Sequence, residues 1–109
     1  MADSIIEKVI EKYLSDVLKY QNLPEYLIIA RISLDQWKPH ELRAITLSDE
    51  RNKYDIFHAG HPGNPRTSTD PRDLNILSSA LVSQGYEVHA FAYREKRYQP
   101  IAAAGAKPA

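Results

Sequence analysis

Two histidines, two arginines and several hydroxyl side chains lie in one segment of the chain, residues 58–73. The segment reads HAGHPGNPRTSTDPRD and joins a predicted strand to a predicted helix. Loops of this length without secondary structure of their own are uncommon in compact domains, and they are usually either functional or disordered. The segment is therefore the first place to look for a small-molecule site, although no spacing within it matches a specific catalytic signature.

A shared metal ion is one chemistry that His58 and His61 could support, since they are three residues apart in this loop. A zinc site needs a third protein ligand, and Asp70, Asp73 or His89 could supply it, but nothing in the spacing requires this. An HxxH pair in a loop is weak evidence when no further ligand pattern accompanies it. We therefore predict no metal and no cofactor.

An anion is the second candidate ligand of the loop, because arginine binds phosphate and carboxylate groups in a bidentate manner. The N-terminus of the following helix also attracts negative charge. Against this, Asp70 and Asp73 occupy that N-terminus, where they would cap the helix and repel a phosphate. Helix capping is the simpler interpretation of the end of the loop. The predicted ligand-binding residues are His58, His61, Arg66 and Arg72.

Catalysis by the same segment has less support. Ser68 and Thr69 are near the histidines in sequence, but a catalytic triad is defined by geometry that proximity along the chain does not supply. The chain also lacks the Gly-x-Ser-x-Gly pattern of a nucleophile elbow. We predict no catalytic residue. A small enzyme that uses His58, His61 and Arg66 on an anionic substrate remains an alternative.

The composition is that of an ordinary globular chain. Of its 109 residues, 43% are hydrophobic and 26% are charged, and 14 basic residues balance 14 acidic ones. This balance argues against nucleic acid and membrane surfaces as partners, because both normally select a basic excess. Without cysteine, the chain has no disulfides and no thiolate nucleophile. The residue pattern predicts neither a signal peptide nor a membrane span, and we expect a cytoplasmic protein.

Hydrophobic periodicity and turn signals predict the order α-β-β-β-α-β. A capping box at Ser4 begins a helix whose apolar pairs recur at helical spacing as far as Leu18. Asp70 and Pro71 begin the second helix, and Gly85 is suited to ending it. The predicted strands are Glu25–Leu34, Glu41–Leu47, Lys53–Ala59 and Tyr86–Arg94.

This order predicts an α+β fold, a two-layer sandwich with a mainly antiparallel sheet and both helices on one face. Residues 1–99 would form the single domain. Residues 100–109 are rich in alanine, proline and glycine, and we expect them to be a flexible tail.

A two-layer domain would leave the second face of its sheet uncovered, yet the first strand is apolar on both faces. Scattered apolar residues on a central strand are one interpretation. We favour burial of this face in a homodimer or against a protein partner. The predicted interface residues are Leu27, Ile29, Arg31, His89, Phe91 and Tyr93.

The order of elements, with Leu23-Pro24-Glu25-Tyr26 after the first helix, resembles double-stranded-RNA-binding domains. Such domains bind phosphates with a lysine cluster at the start of the second helix. Here Asp70-Pro71-Arg72-Asp73 stands at that position and has the wrong charge. The segment 93–98 does interleave basic and aromatic residues, but we interpret it as protection of a sheet edge. Nucleic acid is therefore not an expected partner.

Together these patterns favour a small, non-enzymatic binding or regulatory module. It would recognise a protein partner through an apolar sheet face, or a small anionic ligand through the 58–73 loop. Besides the enzyme mentioned above, an inhibitor or immunity-type protein that covers a surface of another protein is an alternative.

Overall fold

The computed structural model describes residues 4–40, 43–59 and 71–107. Helix α1 (Ser4–Lys12) continues into a π-helical segment (Tyr13–Leu18), and helix α2 (Pro71–Ser83) follows the third strand. The strands are β1 (Tyr26–Ser33), β2 (Ile45–Ser48), β3 (Asn52–Ala59), β4 (Glu87–Arg94) and β5 (Arg97–Ile101). They form one antiparallel sheet in the order β2-β3-β1-β4-β5, which confirms the predicted α+β class. None of the helices in the described ranges is long and apolar enough to span a membrane.

The central strand β1 is buried on both faces, and this determines where the helices lie. Leu27 and Ile29 pack in the core beneath α1, whereas Ile28 and Ala30 pack in the core beneath α2. The prediction that both helices lie on one face is therefore wrong. Each helix has one apolar stripe, and β1 offers two apolar faces, so each face is covered by its own helix. The layers are helix, sheet, helix.

The β4–β5 hairpin was absent from the sequence prediction. It is closed by Glu95 and Lys96, whose φ angles are 54° and 67°. Two consecutive positive φ angles are the requirement of a type I′ turn, which glycine and asparagine usually satisfy. A Glu-Lys turn carries no such signal. Pro100 lies within β5, which is an edge strand, where a missing N–H is tolerated.

The segment after β5 lies over α2 in place of the flexible tail expected from Pro100 onward. Ser78 Oγ donates a hydrogen bond to the Ala104 carbonyl at 2.7 Å, and the Ala104 N–H donates to Asn75 Oδ1 at 2.8 Å. The Lys107 N–H then donates to the Val88 carbonyl at 2.8 Å. The small residues that gave this segment its low-complexity composition are what allow its backbone to approach the helix closely.

Gly105 is the position that tests this docking. Its φ is +76°, and an added Cβ would lie 3.0 Å from Val82 Cγ2. We expect Gly105→Ala to lower the free energy of unfolding by about 1–2 kcal/mol through strain and overpacking. Gly85→Ala is the matched control, since Gly85 has φ +96° but open space around its Cβ position. Urea denaturation measures both. A Gly105→Ala protein as stable as the parent would contradict the docked segment.

Candidate functional site

The predicted ligand residues of the 58–73 loop lie almost entirely outside the described part of the chain. His61 and Arg66 are outside it, and only the backbones of His58, in β3, and Arg72, in α2, are described. The structure therefore neither brings these four side chains together nor separates them, and a site in this loop stays a prediction.

The predicted interface residues divide into three groups. Leu27, Ile29 and Phe91 are buried beneath α1, so the uncovered apolar face that motivated an interface does not exist. Arg31 and His89 belong to a polar cluster on the same side of the sheet. Tyr93 keeps 37% of its surface exposed and lines a groove.

This groove, of about 420 Å³, lies between α1 and the β4–β5 hairpin, and we call it the α1–hairpin groove. Its apolar lining includes Phe91 and the rings of Tyr93 and Tyr98, which are 5.1 Å apart and tilted by 58°. The Tyr98 hydroxyl donates a hydrogen bond to the Pro24 carbonyl at 2.5 Å, which holds the ring in place. Burial is the main cause that raises the pKa of Tyr98, so this hydroxyl remains a neutral donor.

Opposite charges line the two walls of the groove. Glu7 and Glu11, one helical turn apart on α1, provide carboxylates, and Lys96 and Arg97 on the hairpin provide cations. All four are exposed. Among the described residues, no ion pair joins one wall to the other. From α1 to the hairpin, the groove thus presents first negative charge, then an aromatic surface and then positive charge.

An exposed tyrosine lies at the end of the groove because of how the first helix terminates. After the π-helical segment, Lys19 and Tyr20 adopt φ angles of 52° and 56°, and the Tyr20 N–H donates to the Leu14 carbonyl at 2.9 Å. This left-handed termination projects Tyr20 outward with 63% of its surface exposed. An aromatic ring held in solvent at the edge of a concave surface is typical of binding sites.

The polar cluster on the α1 side of the sheet centres on Glu87. Arg31 and His89 both bind Glu87 Oε2, the latter at 2.8 Å, and Lys107 Nζ lies 3.6 Å from Oε1. Burial works to raise the pKa of Glu87, but the hydrogen bonds from His89 and Arg31 together outweigh it and lower that pKa. The cluster joins β1, β4 and the C-terminal segment, and we interpret it as structural.

A buried carboxylate lies on the opposite face. Asp55 in β3 is completely inaccessible to solvent and accepts hydrogen bonds from Trp37 Nε1, Thr46 Oγ1 and the Tyr86 hydroxyl. Three donors from separate parts of the chain therefore satisfy one carboxylate. Burial, followed by the hydrogen bond to Asp55, raises the pKa of Tyr86 and keeps it a donor.

The described residues form no evident metal-binding site. Within residues 4–40, 43–59 and 71–107, no group of three His, Asp or Glu side chains is arranged to hold a metal ion. His89, a possible third ligand beside His58 and His61, binds Glu87 through its Nε2.

Sequence reasoning named Phe91 and Tyr93 but missed the rest of the α1–hairpin groove. The available signal is the alternation of basic and aromatic residues over 93–98, a pattern that edge protection also explains. Lys96, Arg97 and Tyr98 all belong to that segment and all line the groove. Tyr20 gave no signal, since its exposure depends on a left-handed backbone that the sequence does not announce.

Comparison of the chain with protein-family models, with curated proteins and with solved structures gives no match.

The Glu87 cluster predicts how the free energy of unfolding depends on pH. Because the pKa of Glu87 is lower in the folded protein than its ordinary value of 4.5, the unfolded chain takes up the proton first. The stabilisation is thus complete above this ordinary pKa and is lost as the pH falls through the folded value. We expect Glu87→Gln to lower the free energy of unfolding at neutral pH by about 1 kcal/mol.

Denaturation by urea at a series of pH values measures this effect. The Glu87→Gln protein should lose less stability than the parent between neutral pH and pH 3. If the free energy of unfolding fell equally with pH in both proteins, Arg31 and His89 would not stabilise the ionised form of Glu87.

Substitution of Asp55 should lower the free energy of unfolding more than substitution of Glu87, with or without a ligand. Asp55→Asn places an NH₂ group among three donors and should lower the free energy of unfolding by about 2–4 kcal/mol. Tyr86→Phe removes only one of these donors, and we expect a loss of about 1–2 kcal/mol. Thermal and urea denaturation of both variants measure the difference. An Asp55→Asn protein as stable as the parent would refute the role of this network.

Proposed function

We propose that the protein is a non-enzymatic binding module that recognises a segment of a partner protein in the α1–hairpin groove. The observation that carries this proposal is the aromatic lining between walls of opposite charge. A cytoplasmic location is part of the proposal, because a chain without cysteine fits a reducing compartment.

The size and lining of the groove fit a few side chains of a bound segment. Its volume of about 420 Å³ is within the range of ligand pockets, which is roughly 300–1,000 Å³. Tyrosine and arginine are enriched at protein interfaces, and buried aromatic residues supply much of their binding energy. Tyr20, Tyr93 and Arg97 are all available at this surface.

The charges of the groove favour a partner that carries both signs. A basic residue of the partner would lie against Glu7 and Glu11, an acidic residue against Lys96 and Arg97, and an apolar side chain between them on Tyr93. A polyanion such as nucleic acid would meet two carboxylates on one wall. Complementary charges of this kind contribute mainly to specificity and to the rate of association.

Recognition explains the groove better than catalysis does. Nucleophilic and acid–base catalysis both need a reactive group within hydrogen-bond reach of a partner that activates it. Among the described hydrogen bonds, none joins two ionisable side chains of the groove. The Tyr98 hydroxyl donates its hydrogen bond to the Pro24 carbonyl.

Site-specific cross-linking tests the proposal. A photoreactive amino acid replaces Tyr20, at the groove, or Ile76, an equally exposed residue on α2 whose side chain is 66% exposed. In cells that make the protein, position 20 should cross-link one discrete partner and position 76 should not. Equal cross-linking from both positions would contradict a partner bound at the groove. A cross-link only to a second copy would make the groove a dimer interface and contradict a separate partner.

Affinity measurements with the identified partner complete the test. We expect Tyr93→Ala and the double reversal Lys96→Glu/Arg97→Glu each to weaken binding by about tenfold or more, which is about 1.4 kcal/mol. Ile76→Ala is the matched control and should bind like the parent. Titration calorimetry measures all of them, and unchanged affinity of the groove variants would refute the proposal.

A further inference from the structure

The aromatic side chains of the α1–hairpin groove combine apolar rings with hydroxyl donors. Tyr20 and Tyr93 both line the groove, and neither hydroxyl has a hydrogen-bond partner among the described residues. The Tyr98 hydroxyl already donates to the Pro24 carbonyl, which positions its ring. The Tyr93 and Tyr98 rings are tilted by 58°, so they present an angled surface in place of one flat face. A segment bound here therefore meets apolar rings and two hydroxyls that can donate to its backbone carbonyls.

An added β-strand is disfavoured at the sheet edge beside the groove. In a two-residue hairpin the pair next to the turn, here Arg94 and Arg97, is hydrogen-bonded, and alternate residues then direct their backbone groups outward. In β5 the outward residues are Tyr98 and Pro100, and Pro100 has no N–H. Among the residues of β5, Tyr98 thus has the only N–H available to a further strand. A bound segment is therefore expected over the aromatic face and not in the ladder of the sheet.

The hydroxyl donors and the fixed rings favour one conformation of the bound segment. The carbonyls of an α-helix are used within the helix, whereas a polyproline II helix has no internal hydrogen bonds and keeps its carbonyls available. The Tyr20 and Tyr93 hydroxyls match such carbonyls. Because the Tyr98 ring is already held in place, affinity is greatest for a ligand that is also ordered beforehand. Proline-rich segments are ordered in this way, and they are typical ligands of aromatic-lined grooves.

Charge complementarity determines which residues flank the prolines. Glu7 and Glu11 are exposed and lie one helical turn apart, so both carboxylates can contact one guanidinium. Lys96 and Arg97 on the hairpin favour an acidic residue at the other end of the segment.

We propose that the segment recognised in the α1–hairpin groove is proline-rich and binds as a polyproline II helix, with an arginine against Glu7 and Glu11. Its prolines would pack on Tyr93 and Tyr98, and the Tyr20 and Tyr93 hydroxyls would donate to its backbone carbonyls. This inference rests on the function proposed for the groove. That function does not require it, because a segment of another conformation could still be the partner.

Titration of ¹⁵N-labelled protein with capped peptides, followed by NMR, tests the conformation. Ac-RPLPPLPE-NH₂ and its reverse, Ac-EPLPPLPR-NH₂, cover the two directions in which a polyproline II helix can lie. Ac-RALAALAE-NH₂ has the same charges and leucines without proline. We expect one proline peptide to bind saturably with a Kd below about 1 mM and to shift the amide signals of residues 7–11, 20 and 93–99. The alanine peptide should bind at least about tenfold more weakly, because it must lose backbone freedom that proline has already lost.

Failure of this inference and failure of the proposed function give different results. Absence of saturable binding by either proline peptide, or equal binding of the alanine peptide, would overturn the proline-rich segment. The proposed function would still stand if position 20 cross-linked one discrete partner and position 76 did not.

Hydroxyl deletions test the contacts to the peptide backbone. Tyr93→Phe and Tyr20→Phe keep the ring, and each should weaken the proline peptide by about threefold or more. Tyr26→Phe is the matched control, since Tyr26 packs on the other side of the sheet, and its affinity should stay within about twofold. Equal effects of Tyr26→Phe and Tyr93→Phe would contradict hydrogen bonds from the groove to the segment.

The arginine contact is tested by pairing a protein variant with a peptide variant. Glu7→Gln/Glu11→Gln should weaken the arginine peptide by about tenfold, and it should change the affinity of a peptide with glutamine in place of arginine by less than about twofold. Glu50→Gln removes an exposed carboxylate between β2 and β3 and is the matched control. Equal losses for the two peptides would refute the contact between the arginine and α1.

Discussion

The fold depends on one constraint, the burial of β1 on both of its faces. A strand with apolar residues at successive positions cannot satisfy both faces with a single helical layer. In this protein α1 covers Leu27 and Ile29, and α2 covers Ile28 and Ala30. Burial of an isoleucine or leucine side chain contributes about 1.5–3 kcal/mol, so exposure of either face would remove a large part of the stability of a domain this small.

A second constraint is the burial of Asp55, which the hydrophobic pattern does not require. A buried carboxylate is tolerated only when its oxygens are hydrogen-bonded, and a neutral apolar residue at this position would avoid that cost. The carboxylate instead fixes the relative positions of other segments of the chain. It joins Trp37 before β2 and Tyr86 before β4 to Thr46, its own cross-strand partner in β2. Asp55 thereby fixes connections whose sequences show little regular pattern.

The sequence predicted the elements better than their arrangement. Periodicity located α1, α2 and four strands, because each of these has its own apolar repeat, and Pro71 and Gly85 begin and end α2 as expected. The side of the sheet that each helix occupies was missed, since it depends on how the whole sheet is covered. Strand β5 and Tyr20 were missed because positive φ angles at Glu95, Lys96 and Tyr20 arise without glycine. The α1–hairpin groove could not be predicted, because Tyr20 and residues of β5 help to form it.

The α1–hairpin groove follows from the width of the sheet. Five strands spaced about 4.8 Å apart span about 19 Å, whereas a helix with its side chains is about 10 Å wide. One helix therefore leaves part of each face uncovered. On the α1 face the uncovered part is the β4–β5 hairpin, which forms one wall of the α1–hairpin groove. On the α2 face a cleft remains beside Tyr86, between residues 36–40 and the end of α2. The arrangement that buries β1 thus leaves a recess on each face.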